Sequence, residues 1–281
     1  MPPRISSYMT SPVIVAKAED TLAYIRNLMI RHGIGRIVIV DNMNRPIGVI
    51  TRKDLIKEAL KQYTKPLDTI LVKDVISKGV ITVKSNRSIK YAAKLMIKHN
   101  VSGLPVVDAD GVLEGIITKT DLTKAYAERY KGLMKVSEAL RRDIPIVNPL
   151  HTLYYVVSLI SQSDLGKVIV VDNNRPIGVI TEKDVAFTLE DFNIRDKGSK
   201  YKKRIGISPR GTLAVVRDYV VPLAQDLMSQ NVIIAREDMD LSDVASLMIE
   251  NNISIVPVVD NEGFFVGAVS KTEIVKALLK V

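Results

Sequence analysis

A ten-residue stretch that occurs twice constrains this chain more than any other feature. Residues 45–54 read RPIGVITRKD and residues 175–184 read RPIGVITEKD, and looser copies lie at residues 114–121 and 266–273. In each copy a β-branched apolar run predicts a buried strand, and the Thr or Ser that follows predicts a helix N-cap. Recurrence of one strand–helix step four times predicts a repeat protein.

One marker glycine opens the predicted strand in each copy, and the same order of elements recurs around it. A helical turn and a short strand come first, followed by an amphipathic helix that stops at Gly33 in the first repeat and near Asn100 in the second. A buried strand ending in Asp and a turn then predict a hairpin with the glycine strand. The marker glycines are Gly48, Gly115, Gly178 and Gly267, and the buried strands are predicted at Ile37–Val40, Leu104–Val107, Val168–Val171 and Val256–Val259.

The fold class that follows is α/β (α+β), with four β-α-β-β-α repeats. A unit of about sixty residues cannot bury both faces of its sheet alone, so we expect repeats one and two to pair, and three and four to pair. The predicted repeats span residues 5–63, 72–130, 136–192 and 221–281.

Residues 193–220 fall outside the repeat period and form a basic insertion. Between positions 195 and 210 there are seven Lys or Arg residues against the single carboxylate of Asp196. A solvated, mobile basic loop is the first explanation of this composition, and a loop that contacts phosphate or nucleic acid is the alternative. Tyr201 is the one aromatic residue between positions 195 and 210, which gives little support to a base-stacking platform.

Composition narrows the classes of function. The chain has 281 residues and no Cys, so disulfides, thiolate chemistry and cysteine zinc sites are excluded. The longest apolar runs have the length of strands and the first residues lack a signal-peptide core, so we expect a cytoplasmic protein that does not span a membrane. The formal charge of +9 favours anionic partners.

The sequence contains none of the catalytic motifs that would indicate an enzyme. No Walker-type phosphate loop and no nucleophile-elbow sequence occurs, and the three His have unrelated spacings, so no catalytic or metal residues are assigned. The repeats and the insertion use the whole chain and leave no room for a catalytic domain.

The pattern resembles the CBS (cystathionine-β-synthase) domain. The resemblance rests on residues 102–108, SGLPVVD, on the glycine strand and on the Thr-x-x-Asp step, and it covers nearly all the chain except the insertion. The arrangement is similar to the gamma subunit of AMP-activated protein kinase and to archaeal stand-alone four-CBS proteins. The resemblance implies two paired Bateman modules in a disc-like assembly. It implies clefts in which adenine lies between apolar strand residues, Asp holds the ribose hydroxyls, and Thr or Ser lies near ribose or phosphate.

Carried over by position, the resemblance gives each repeat a set of nucleotide-binding candidates. They are Thr51, Asp54, Ile14 and Ile34 in repeat one, Thr118, Asp121, Ile81, Val101 and Ser102 in repeat two, Thr181 and Asp184 in repeat three, and Ser270, Glu273 and Ile233 in repeat four. Arg36 and Lys167 occupy equivalent positions, where the resemblance implies a cation that reaches phosphate and where a solvated cation is the alternative.

Three departures from the family pattern distinguish the repeats. Repeat three has Pro145 where the others have Ile, repeat four has Glu273 where the others have Asp, and repeats one and three have Gly at the Ser102 position. We therefore expect the cleft of repeat two to bind most tightly.

The chemistry of the step allows two interpretations. A carboxylate can accept two hydrogen bonds from a ribose diol, and a helix N-terminus favours phosphate. Thr/Ser-x-x-Asp/Glu also matches a capping box, which needs no ligand, and one carboxylate can serve both roles. His32 and His99 are likewise open between a helix C-terminal role and a phosphate contact.

The sequence thus supports a regulatory module without catalytic activity that binds AMP, ADP or ATP, with S-adenosylmethionine ranked behind them, and that requires no cofactor. Its partner would be an unknown regulated protein, and a homodimer is an open option. The alternative is a nucleic-acid-binding protein that uses residues 195–210, and the third hypothesis is a structural scaffold with empty clefts.

Overall fold

Each repeat is built on a three-stranded sheet in which a two-residue strand lies parallel to the first strand of an antiparallel hairpin. The computed structural model describes residues 3–61, 66–76, 79–188, 200–207, 213–220 and 222–280. A helix connects the short strand to the hairpin, and a second helix follows the hairpin directly. The β-α-β-β-α order predicted from the sequence is confirmed in all four repeats.

The bounds of the elements follow the repeats. Repeat one contains β1 (Val15–Ala16), α1 (Leu22–Arg31), β2 (Arg36–Val40), β3 (Pro46–Thr51) and α2 (Arg52–Lys61). Repeat two contains β4 (Val83–Lys84), α3 (Ile89–Lys98), β5 (Gly103–Val107), β6 (Leu113–Thr118) and α4 (Lys119–Arg129). Repeat three contains α5 (Val136–Ala139), β7 (Ile146–Val147), α6 (Leu153–Gln162), β8 (Lys167–Asp172), β9 (Arg175–Thr181) and α7 (Glu182–Thr188). Repeat four contains α8 (Ala224–Leu227), β12 (Ala235–Arg236), α9 (Leu241–Glu250), β13 (Ile255–Val259), β14 (Phe265–Ser270) and α10 (Lys271–Ala277).

Two further strands, β10 (Lys200–Ile207) and β11 (Leu213–Val220), lie in the basic insertion and pair antiparallel from Lys200–Val220 to Ile207–Leu213. The expectation of an irregular loop is therefore wrong for these residues. Sequence reasoning missed the hairpin because it weighed the charges and did not test the apolar run at Leu213–Val216 against a cross-strand partner.

The helix between the short strand and the hairpin is α1, α3, α6 or α9, and local sequence signals mark its ends. Thr21, Ser88 and Thr152 accept a hydrogen bond from the backbone N–H three residues on, and Asp240 accepts one from Ser242 N. Gly33 and Asn100 follow the C-caps with φ of +64° and +50°, which matches the predicted stops.

Opening segments are exchanged between paired repeats. Thr10, from the start of repeat one, exchanges two backbone hydrogen bonds with Ile116 in β6 of repeat two. In the same way Arg141 of repeat three exchanges two with Ala268 in β14 of repeat four. Ser229 of repeat four donates to Val179 of repeat three. Repeats one and two are thus paired as predicted, and repeats three and four exchange their opening segments.

The close approach of these opening segments requires the marker glycines, because a side chain at their positions would meet the approaching segment. A Cβ on Gly115 would lie 2.9 Å from the Met9 sulfur, and one on Gly178 would lie 2.4 Å from the Met228 sulfur. Gly267, at φ +153°, would meet the Arg141 carbonyl oxygen at 2.5 Å. Each glycine lies inside its strand, not at its start, so it admits the partner repeat's opening segment.

The chain divides into two compact units, which cut across the repeats. The first comprises Met1–Leu55, Lys65–Ile144 and Val232–Val281, and the second comprises Ile56–Thr64 and Pro145–Asn231. In the first unit, repeats two and four share one apolar core in which α4 packs against α9 and α10. In the second unit, Ile56 from α2 lies in the core of repeat three.

Candidate functional site

The strand-to-helix step forms a hydrogen-bonded cap in every repeat. The Thr or Ser ends the hairpin strand, and its backbone N–H and its hydroxyl both donate to one oxygen of the carboxylate three residues later. In repeat two, Thr118 N and Oγ1 each lie 2.7 Å from Asp121 Oδ2. The capping role predicted for the step is confirmed, and it occupies one carboxylate oxygen.

In repeat two, the other oxygen of Asp121, Oδ1, lies outside this cap. Asp121 is half-buried at the start of α4, an eleven-residue helix. Ile81 and Val101 pack at the edge of the apolar core and are half-buried, so each keeps apolar surface beyond it. Repeat two therefore has a carboxylate oxygen at a helix N-terminus, and it keeps apolar surface at Ile81 and Val101.

A cation from repeat one completes this site. Arg36 begins β2, opposite Thr51 in the hairpin, but its Nη2 atom donates to Ser102 Oγ of repeat two at 3.0 Å. A Cβ on Gly103 would lie 2.8 Å from Arg36 Nη1, so the absence of a side chain at Gly103 admits the guanidinium. Arg36 thus belongs to the site of the neighbouring repeat.

Repeat four contributes a second cation to the site of repeat two, Lys271, which directly follows Ser270 in the sequence. Lys271 Nζ donates to Thr120 Oγ1 at 3.1 Å, and reciprocally Lys119 Nζ donates to Thr272 Oγ1 at 2.9 Å. Sequence reasoning missed these lysines, although the residue after the Thr or Ser is charged in all four steps, a signal visible in the aligned copies.

The electrostatics of Asp121 reflect this crowded setting. Burial raises the pKa of the Asp121 carboxyl above its ordinary value, against the hydrogen bonds from Thr118 and the charges of Arg36 and Lys271, which lower it. A group that donates hydrogen bonds to Asp121 would favour the ionised form and relieve this cost.

Repeat four is closed at the equivalent place. Ser270 and Glu273 are only 1% and 5% exposed, whereas Thr118 and Asp121 are half-buried. Ile255, 3% exposed, lies opposite Ser270 in the position that Gly103 occupies opposite Thr118. Glu273 Oε1 is buried without a hydrogen bond in the described part of the chain, and Lys276 Nζ lies 3.5 Å from it.

Repeat one keeps the polar step but changes its surroundings. Thr51 N and Oγ1 lie 2.8 and 2.6 Å from Asp54 Oδ2, and both residues are half-buried, as are Ile14 and Ile34. A Cβ on Gly35 would lie 2.9 Å from Arg52 Nη1, so Arg52 covers the position that Ser102 holds in repeat two.

Repeat three carries opposite charge at that position. Thr181 and Asp184 form the same cap, at 2.8 Å for both bonds. A Cβ on Gly166 would lie 2.0 Å from Glu182 Oε1, so a carboxylate stands where repeat one has a guanidinium. Lys167 begins β8 opposite Thr181 and donates to the Leu165 carbonyl at 2.9 Å.

Strand register makes the apolar candidates equivalent. Ala16, Val83, Val147 and Ala235 all pair with the same position of the middle strand, and Ile14, Ile81, Pro145 and Ile233 lie two residues before them. Pro145 still accepts a backbone hydrogen bond from Ile169 N at 3.1 Å, so the proline changes the side chain and keeps that contact.

The remaining polar candidates have structural roles. His32 and His99 are the exposed C-caps of α1 and α3, as expected from the sequence, and their phosphate contact stays a prediction. Asp41 and Asp108, which end their strands, accept two backbone N–H bonds each from the turn that follows. The described residues contain no cluster of three side chains suited to a metal ion.

Comparison with known proteins decides the family. The CBS domain model matches residues 5–61, 72–128, 136–191 and 224–280. This chain belongs to the CBS domain family. Its four CBS repeats account for most of its length, as the resemblance implied.

The most informative relative is protein MJ1225 of Methanocaldococcus jannaschii, proposed as an archaeal homologue of the gamma subunit of AMPK. It is 24% identical over 248 residues, covering 83% of each chain, and its crystal structure matches 98% of this chain and 99% of that one with a TM-score of 0.78. At 23% identity in the structural alignment, this likeness is one of fold.

Two further relatives match in part. Protein MK0525 of Methanopyrus kandleri is 38% identical over 110 residues, which are 39% of this chain and 56% of that protein. L-aspartate semialdehyde sulfurtransferase of Methanocaldococcus jannaschii is 39% identical over 117 residues, 41% of this chain and 22% of that protein. The chain therefore spans about half of the first and less than a quarter of the second.

Proposed function

We propose that this chain is a regulatory module without catalytic activity that binds an adenine nucleotide at repeat two. The observation that carries the proposal is the pair Asp121 and Arg36. The cap engages Oδ2 of Asp121 alone, and Arg36 reaches from repeat one to Ser102 beside it. A half-buried carboxylate and a guanidinium held together suit a ligand that has both hydroxyls and a phosphate.

Each part of a nucleotide has a counterpart at this site. Oδ1 of Asp121 would accept from the ribose hydroxyls, and the N-terminus of α4 with Arg36 and Lys119 would take phosphate. Ile81 and Val101 would form the walls for adenine. Membership of the CBS family supports this assignment, and AMP, ADP and ATP are ranked ahead of S-adenosylmethionine because the site is cationic.

The remaining assignments complete the proposal. Thr51 with Asp54 and Thr181 with Asp184 would form weaker sites, and Ser270 with Glu273 the weakest. Nucleotide occupancy would alter a regulated protein partner by favouring one arrangement of the repeats, to the extent that the ligand binds that arrangement better.

We place the module in the cytoplasm because it has no cysteine, and a homodimer stays open. No helix in the described residues is long and apolar enough to cross a membrane.

The nucleic-acid alternative gains no support. The side chains of residues 200–207 and 213–220 lie outside the described residues, so a role for positions 195–210 in binding nucleic acid stays a prediction. If it were correct, binding would weaken steeply as salt rises.

Thermal shift tests the proposal directly. AMP, ADP, ATP and S-adenosylmethionine are added separately at millimolar concentration to the full chain and to Asp121→Ala. Ligand at about 100 times its dissociation constant stabilises by about 2.7 kcal/mol, which is several degrees at roughly 2–4 °C per kcal/mol. We expect this shift in the native chain and a much smaller one in the variant. If none of the four ligands raises the melting temperature, the proposal is wrong and the scaffold with empty clefts becomes the better hypothesis.

A further inference from the structure

The same helix occurs once in each of the four repeats. Comparing the residues at equivalent positions therefore shows which residues the fold requires and which it does not. Helices α1, α3, α6 and α9 are each ten residues long, and all four bury apolar residues at positions one, four and eight. Their outward positions three, six and ten differ. These positions hold Tyr24, Asn27 and Arg31 in α1, Tyr91, Lys94 and Lys98 in α3, Tyr155, Ser158 and Gln162 in α6, and Asp243, Ser246 and Glu250 in α9.

Among these four helices, only α3 carries a continuous basic stripe, which consists of Lys90, Tyr91, Lys94 and Lys98 together with Arg87, two residues before the helix begins. Arg87, Tyr91, Lys94 and Lys98 are exposed, and Lys90 is half-buried. The Arg87 guanidinium lies 4.2 Å from the centre of the Tyr91 ring. Within the described part of the chain, none of the stripe's cations pairs with a carboxylate.

The stripe is not explained by the stability of α3. Ile89, Ala92, Ala93 and Met96 bury the opposite face completely, and they hold the helix in the core without help from the lysines. Lys98 lies in the last turn and suits the helix dipole, but like charges at i, i+4 destabilise a helix, and Lys90 in the first turn opposes the dipole. Since α9 accepts Asp243 and Glu250 at two of the same positions, the scaffold does not demand Lys there.

The shape of the stripe selects the class of partner. It is one side chain wide and about 15 Å long, which fits one helix or extended segment better than a duplex, whose two phosphate strands lie further apart. The apolar face of α3 is used by the core, so the helix cannot insert into a lipid surface. Arg87 covers one face of Tyr91, and that face is not available to stack on a base.

We propose that the basic stripe of α3 is a docking surface for an acidic helix of a partner protein, with carboxylates at i, i+4 spacing set against Lys90, Lys94 and Lys98. This goes beyond nucleotide binding and does not depend on it. It assigns the outer face of repeat two to the partner and the step at Thr118 to the ligand.

The test uses fluorescence anisotropy with the full chain and a labelled alanine-rich helical peptide that carries glutamates at i, i+4 spacing. The stripe variant is Lys94→Glu with Lys98→Glu. The matched control is Lys202→Glu with Lys203→Glu in β10, which changes the formal charge of +9 by the same amount. Short duplex DNA and phosphatidylserine vesicles are titrated in parallel.

We expect salt-sensitive binding of the acidic peptide, weaker by roughly tenfold in the stripe variant and little changed in the control. Equal weakening in both variants would mean non-specific attraction to net charge and would overturn the proposal. Tighter binding of duplex DNA or vesicles than of the peptide, lost in the stripe variant, would show that the occupant is a different anion. Circular dichroism of both variants confirms that each still folds.

Discussion

Repeat two and most of repeat four, from Val232 onward, lie in one compact unit and share one core, yet the same sequence step has different surroundings in each. In both, Thr or Ser caps a helix through the carboxylate three residues later. In repeat two the step is half-buried beside a glycine and a guanidinium, and in repeat four it is buried beneath Ile255. The cap is therefore common to both repeats, and the exposure of the carboxylate distinguishes the site proposed in repeat two from the buried step of repeat four.

The largest effect should come from closing repeat two in the manner of repeat four. Gly103→Ile places a side chain where the Arg36 guanidinium now lies, since even a Cβ there would lie 2.8 Å from Nη1. We expect AMP binding to fall by at least about tenfold, the equivalent of losing one hydrogen bond to a charged group. Calorimetry measures the loss.

The control is Gly111→Ala, a change in the turn before β6 where a Cβ would meet nothing within 4 Å. It should leave affinity unchanged even if the positive φ of Gly111 costs some stability. Unaltered AMP binding by Gly103→Ile would show that the opening beside Thr118 is not the entrance to the site.

The next effect concerns stability without ligand, for which the two repeats rank in the reverse of their order for nucleotide binding. Glu273→Ala leaves the buried Ser270 N–H and hydroxyl without their acceptor, at a cost of roughly 1–3 kcal/mol. Asp121→Ala should cost less because water can reach Thr118, which is half-buried. We expect the melting temperature without ligand to fall by several degrees in the first variant and by less in the second.

Glu273→Gln is the matched control, because its amide oxygen can still accept from Ser270. Its melting temperature should lie between those of the native chain and Glu273→Ala. A greater loss from Asp121→Ala than from Glu273→Ala would contradict the assignment of Glu273 to structure.

Much of this fold could be predicted because its signals are local. Periodicity gave the helices, and the stops at Gly33 and Asn100 follow from residues that tolerate positive φ. All four middle strands begin one residue earlier than predicted, at Arg36, Gly103, Lys167 and Ile255. In repeats one and three that first residue is charged and carries no apolar signal, which explains the error there.

What sequence reasoning could not supply depends on contacts between repeats. The partner of Gly115 is Met9, more than a hundred positions away, and no local pattern reveals such a close approach. The reach of Arg36 into repeat two and the reciprocal contacts of Lys119 and Lys271 depend on the same packing. The repeat pattern also does not predict that the two compact units cut across the repeat boundaries.

The smallest effect is a dependence on pH that comes from Asp121 in repeat two. Burial raises the pKa of Asp121, so from its ordinary value up to its raised value the folded protein keeps a proton that the unfolded chain has lost. Native stability therefore falls as pH rises through that window, and Asp121→Asn removes the effect. We expect the variant's advantage in melting temperature, without ligand, to be larger at neutral pH than near pH 4. A constant difference across this range would mean that Asp121 is not desolvated.

The most direct test of the central claim is calorimetric titration of AMP into the native chain, Asp121→Ala and Glu273→Ala. If repeat two is the site and repeat four is closed, Asp121→Ala removes the highest-affinity event, weakening it by about ten- to a hundredfold for each charged hydrogen bond lost, and Glu273→Ala leaves that event unchanged. Loss of the tight event in Glu273→Ala with its retention in Asp121→Ala would contradict the account, because the buried carboxylate would then be the one that holds the ribose.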